Sequence, residues 1–78
     1  MPTILTINGY RFFFFSNEGQ EPVHIHVEKA EGYAKFWIKP VSLARTRGFK
    51  ARQLAELHKL VEEHKGTFEE RWNEFFSG

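Results

Sequence analysis

The residues best suited to chemistry stand in one short run, Pro22-Val23-His24-Ile25-His26-Val27-Glu28. Val23, Ile25 and Val27 alternate with His24, His26 and Glu28, and in a strand successive side chains point to opposite sides. One face of such a strand is apolar, and the other carries two imidazoles and a carboxylate. Three chemistries draw on these types. A metal site would take His24 and His26 from one side of the strand, with Glu28, His58 or His64 as a third ligand. Two histidines are weak support for it, and Lys35 or Lys39 nearby would repel a cation. Ribonuclease chemistry needs a general base, a general acid and a cation for the phosphate, which His24, His26, Lys35 and Arg11 supply in kind. Imidazole titrates near neutrality, so a pair can work in opposite protonation states. Nothing in the sequence sets their geometry. The third is contact without catalysis. Tyr33, Trp37 and Phe49 are interleaved with Lys39, Arg45 and Arg47, a combination that tracks phosphates and stacks bases or meets a protein partner. A formal charge of +1 is low for a nucleic-acid binder. The plain structural alternative is that both histidines are polar surface groups on an exposed sheet face.

The elements that must hold these residues read mostly as strands. Thr3 to Ile7 is β-branched and ends at Asn8-Gly9, a strong hairpin signal because both positions tolerate φ > 0. Tyr10 to Phe15 returns with aromatics on both faces, as a central strand does. Ser16 to Pro22 is rich in turn formers and reads as a loop. Past the His-x-His strand, Ala34, Phe36 and Ile38 alternate with Tyr33, Lys35, Trp37 and Lys39 in a further strand. A turn at Glu31-Gly32 would oppose Glu28 to Lys35, His26 to Trp37 and His24 to Lys39. A register moved by two residues opposes His26 to Lys35 instead. Directly opposed residues share a face, so either register gathers imidazoles, a lysine and an indole. Pro40 ends the strand, and Val41 to Gly48 allows a short fifth strand or a helical turn, with a connection of some extended character favoured.

From Lys50 the period changes. Leu54, Leu57, Val61, His64, Phe68, Trp72 and Phe75 follow spacings of three and four, the pattern of an amphipathic helix. Thr67-Phe68-Glu69-Glu70 resembles a capping box behind a stop at Gly66. The apolar stripe nevertheless keeps its phase across the glycine, which favours one long helix with Gly66 as the point of any bend or break. At about 1.5 Å per residue it would span nearly 40 Å, long enough for its end to project toward a partner. The expected fold is α+β, a three- to four-stranded antiparallel sheet packed by this helix.

Seventy-eight residues make one domain, and a chain this size buries only about 60% of the surface its unfolded form exposes. Nine Phe, two Trp and two Tyr supply a dense core in compensation. Cysteine is absent, so neither a disulfide framework nor a thiolate metal site holds the fold, which suits a reducing cytosol. The longest purely apolar run, Phe12 to Phe15, is far below the roughly 20 residues that cross a bilayer, so no membrane role and a cytoplasmic location are expected. No motif asks for a cofactor. No acid falls between Glu31 and Glu56, where Lys35, Lys39, Arg45, Arg47, Lys50 and Arg52 lie, while six Glu crowd the segment from Glu56 onward. The chain thus has a basic middle and an acidic tail.

Met1-Pro2-Thr3-Ile4-Leu5, Gly9 to Phe14, Ser16-Asn17-Glu18, Pro22 to Val27, Ala34 to Trp37, Gly48-Phe49 and Trp72 to Phe76 together resemble the small bacterial family called domain of unknown function 4160. The match covers nearly the whole chain with its segments in the family's order. The resemblance implies a small stand-alone cytoplasmic protein of unestablished activity. Such proteins are often encoded beside another short protein, in pairs of toxin-antitoxin character. It therefore implies a protein partner, the neighbouring-gene product, with RNA as a further contact. The chain departs from the family pattern at Val23, where a second Pro is usual, at Lys50, commonly Ser, and at Gly66. The second departure removes an expected N-cap.

Overall fold

The computed structural model describes residues 3–77. Five strands precede one helix: β1 (Thr3–Ile7), β2 (Tyr10–Phe13), β3 (His24–Lys29), β4 (Gly32–Ile38), β5 (Val41–Arg47) and α1 (Ala51–Phe76). The strands form one antiparallel sheet in sequence order, so every strand pairs with its chain neighbour. The fold is α+β as expected, but the sheet has five strands rather than three to four, because Val41–Arg47 forms a full strand instead of the favoured connection.

That strand is an edge. Val41 is half-buried and the six residues after it are exposed. Uncovered beyond Val41, β5 shows little of the hydrophobic alternation that marks a strand in sequence, and its pairing with β4 decides its conformation instead. A bulge opposite Lys35 and Phe36 leaves Ala44 as the extra residue, since Lys35 pairs with Arg45 and Phe36 with Leu43.

The first hairpin forms as the sequence predicts. Asn8 and Gly9 both have positive φ, 53° and 81°, the requirement of a two-residue turn that follows the strand twist. The β3–β4 hairpin takes the register moved by two residues. Lys29 pairs with Gly32, so Ala30 and Glu31 make the turn, Ala30 taking φ 53°. Gly32 sits inside the strand because the Phe49 ring lies where its Cβ would be. The glycine thus serves close packing rather than the turn, and that choice sets the register: His26 opposes Lys35, His24 opposes Trp37 and Glu28 opposes Tyr33.

One sheet face packs on α1. Tyr10, Phe12, Phe14, Ile25, Val27, Ala34, Phe36 and Ile38 meet Leu57, Leu60, Val61, Phe68 and Trp72 in a single buried cluster. Phe12 stacks on Phe68 with ring centroids 5.3 Å apart. The helix runs unbroken through Gly66, where a Cβ would meet nothing within 4 Å. Its end does not project. Trp72 and Phe76 lie 5.3 and 5.4 Å from the Phe14 ring, so the last turns are held against the chain as it leaves β2. At the other end, Lys50 has extended N-cap backbone but caps nothing with its side chain; its N–H donates to Gln53 Oε1 at 2.9 Å. Among the described residues, no helix is long and apolar enough to cross a membrane.

Candidate functional site: a buried histidine–carboxylate cluster

The alternation in β3 places His24, His26 and Glu28 on the side opposite Ile25 and Val27, together with Arg11, Phe13, Tyr33, Lys35 and Trp37. Only part of that face is open. His24 and His26 are 1% and 3% exposed, against the expectation of surface imidazoles. The segment between β2 and β3 folds back and covers them.

That segment is built locally. It turns at Phe15 to Glu18, where the Glu18 N–H reaches the Phe15 carbonyl at 3.3 Å and the Phe15 N–H donates to Glu18 Oε1 at 2.8 Å. Glu21 then donates its N–H to the Glu18 carbonyl at 3.1 Å. Gly19 passes so close to the end of α1 that a Cβ would come within 2.5 Å of the Phe76 ring. The segment just before α1 and the last turn of α1 thereby both shape the site, one through Phe49 at Gly32 and the other through Phe76 at Gly19.

The outcome is a carboxylate turned inward onto both rings. Glu18 Oε2 lies 2.9 Å from His26 Nε2, and Glu18 Oε1 lies 3.1 Å from His24 Nε2. The opposite nitrogen of each ring is also engaged. His24 Nδ1–H donates to the Pro22 carbonyl at 2.9 Å, and His26 Nδ1 meets the Tyr33 hydroxyl at 2.8 Å. A carbonyl only accepts, which settles the proton on His24 Nδ1; a hydroxyl does either, so His26 can adopt either tautomer. Aromatic rings complete the enclosure. Trp37 and Trp72 flank His24 at 5.6 and 4.9 Å, while Phe13 and Phe15 flank His26 at 5.4 and 4.9 Å.

Charge in this enclosure is set by competing effects. Burial pushes the His26 imidazole below its usual value, and the charges of His24 and Lys35 add to that, outweighing the upward pull of Glu18. Burial works to raise the Glu18 carboxyl, but the Phe15 N–H and the two histidines prevail and hold it below the usual carboxylate range. The stable form is therefore an ionised Glu18 accepting from a neutral His26, whose Nδ1 accepts from Tyr33.

Beside the cluster lies an open cavity of about 690 Å³. Glu18 and His26 line its inner part, with Phe15 and Glu21 on the loop side. Tyr33, Lys35, Arg45, Thr46 and Arg47 complete the wall from β4 and β5. Lys35 pairs with Glu21 at 3.0 Å and lies 4.5 Å above the Trp37 ring. Arg45 and Arg47 flank Tyr33 at 5.7 and 5.8 Å, and among the described residues neither has an acidic partner.

The structure thus brings together His26, Tyr33, Lys35, Arg45 and Arg47, with His24 directly behind and Trp37 beside it. Arg11 stays on the same face but apart from the cavity, bound to Glu28 through Nε at 3.1 Å and to Thr3 at 2.9 Å. The pairing expected between Glu28 and Lys35 therefore does not form. Lys39 is in the β4–β5 turn, paired with Glu69 of the helix and remote from the histidines. His58 and His64 are helix residues, beside Phe36 and Phe68 on the α1 side, and neither joins the His24–His26 pair. Sequence reasoning missed Glu18 and Glu21, because a loop residue's reach follows from tertiary folding. Ser16-Asn17-Glu18 was nonetheless among the segments that carried the family resemblance, a signal that this loop holds more than a turn.

These features define a small α+β domain: a five-stranded meander with a helix on one face and a loop-covered histidine–carboxylate cluster on the other. The chain belongs to the family described as Domain of unknown function (DUF4160), whose profile matches residues 9–73. No curated protein and no solved structure was found to match it.

Proposed function

We propose that this protein is a component of a two-protein, toxin-antitoxin-like module and contacts RNA through the cavity beside His26. The observation that supports this reading is the unbalanced charge of the cavity wall. Glu21 is taken by Lys35 and Glu18 by the histidines, so Arg45 and Arg47 present two uncompensated guanidiniums around an aromatic ring. Guanidiniums hold phosphates with paired N–H groups, and a tyrosine face accepts a base by stacking. The formal charge of the chain is only +1, so contact would be confined to this patch.

The test is fluorescence anisotropy of a short labelled RNA against salt. Binding should weaken with salt, and Arg45→Ala or Arg47→Ala should each reduce the salt slope by about 1, the expectation for one lost phosphate contact. Salt-insensitive binding, or no binding at low salt, refutes the RNA contact. Co-purification with the neighbouring-gene product tests the module, and absence of a stable complex counts against it.

A hydrolytic reading draws on the Glu18–His26 hydrogen bond at the cavity wall. His24 does not line the cavity, so proton transfer would fall to His26 and Glu18 rather than to a pair of histidines. RNA cleavage that disappears in His26→Ala would support it.

A further inference from the structure

The cluster leaves one buried nitrogen without a hydrogen-bond partner. His24 Nδ1 is committed as donor to the Pro22 carbonyl, which leaves Nε2 as the nitrogen turned toward Glu18. It is fully buried, makes no hydrogen bond and points at an ionised carboxylate 3.1 Å away. An imidazole nitrogen and a carboxylate oxygen this close in a desolvated pocket call for a positive centre between them, a proton or a metal ion.

The geometry points to a first-row divalent metal site formed by Glu18, His24 and His26. Their ligating atoms all lie within 4.8 Å of one another. Bonds of about 2.1 Å place neighbouring ligands roughly 3.0 to 3.4 Å apart, and the Glu18–histidine separations of 2.9 and 3.1 Å already approach that. The outer contacts are those a metal-bound imidazole requires, a ring N–H held by oxygen on the far side. His24 has this already. His26 acquires it when the Tyr33 hydroxyl turns from donor to acceptor, which frees Nε2 for the metal. Lys35 does not bar the cation, because Glu21 neutralises it at 3.0 Å. Two histidines and one carboxylate leave further positions for water or a ligand from the cavity. This site stands independently of RNA contact.

Untagged protein titrated with zinc chloride in a calorimeter should take up one equivalent. NMR of the imidazole nitrogens should show His24 and His26 both protonated at Nδ1 and metal-bound at Nε2. Glu18→Gln, nearly isosteric, should weaken binding at least tenfold with unchanged circular dichroism. Tyr33→Phe should weaken it about tenfold with circular dichroism matching the parent, while His58→Ala and His64→Ala should bind as the parent does. The site is refuted if about 1 mM zinc leaves His24 and His26 unmoved, if His24 proves to be an imidazolium that retains its Nε2 proton as zinc is added, or if Glu18→Gln binds as tightly as the parent.

Discussion

Gly66→Ala distinguishes two arrangements of the C-terminal third by the sign of its effect. In a continuous helix the methyl enters open space, since a Cβ at Gly66 meets nothing within 4 Å. Alanine then gains its full advantage in helix propensity over glycine, about 0.8 to 1.0 kcal/mol, partly by reducing the freedom of the unfolded chain. For a domain of this size that raises Tm by roughly 4 to 8 °C. Were Gly66 the stop of one helix and Thr67 the cap of the next, glycine would sit at positive φ and alanine would lower Tm instead. Thr67→Ala provides the second arm: it costs about 1 kcal/mol if Thr67 caps a helix and nothing or slightly less than nothing in a helix interior. Two-state urea or thermal unfolding by circular dichroism reads both variants. A fall in Tm for Gly66→Ala together with a loss for Thr67→Ala would refute the unbroken helix.

The other predictions concern packing, capping and ionisation. Phe68→Ala removes a ring that is 1% exposed and stacked on Phe12; it should cost about 3 to 5 kcal/mol, and a loss below about 1 kcal/mol in chemical denaturation would contradict the described core. Lys50→Ser places a side-chain acceptor on extended N-cap backbone and should stabilise by about 0.5 to 1 kcal/mol, visible as a higher urea midpoint at unchanged slope. Burial raises the Tyr10 phenol above its ordinary value, with its hydrogen bond to Glu56 and that residue's charge adding to the effect. This contribution is complete below the unfolded value near 10 and is lost as pH rises through the higher folded one. Tyr10→Phe should therefore show a shallower alkaline loss of stability than the parent, and equal slopes would refute the linkage.

Local chemistry was legible wherever a rule acts within a few residues. Asn8-Gly9 made its turn because both positions tolerate positive φ, and the three-and-four spacing from Leu54 to Trp72 specified one helix face across Gly66, though Phe75 at its end is exposed and Phe76 packs instead. The alternation in β3 correctly put His24 and His26 on one side. Where two parts of the chain compete for one residue, sequence was insufficient. Gly32 served equally well as a turn or as a seat for Phe49, and only the packing of Phe49 chose the register that pairs His26 with Lys35. Sequence left edge strand β5 undecided between a strand, a helical turn and a connection, because a strand exposed over most of its length has little hydrophobic alternation to show.

By itself, the sequence determined an α+β domain, its aromatic core, the first hairpin, the amphipathic helix and the imidazole pair, all properties of period and residue type. Tertiary structure alone decided what the imidazoles face. Glu18 reaches them because the chain reverses at Phe15 and Gly19 wedges against Phe76 at the far end of α1. The same fold takes Glu28 away to Arg11 and Lys39 to Glu69. A carboxylate becomes a partner or a bystander through distance and desolvation, and both arise from contacts made far along the chain.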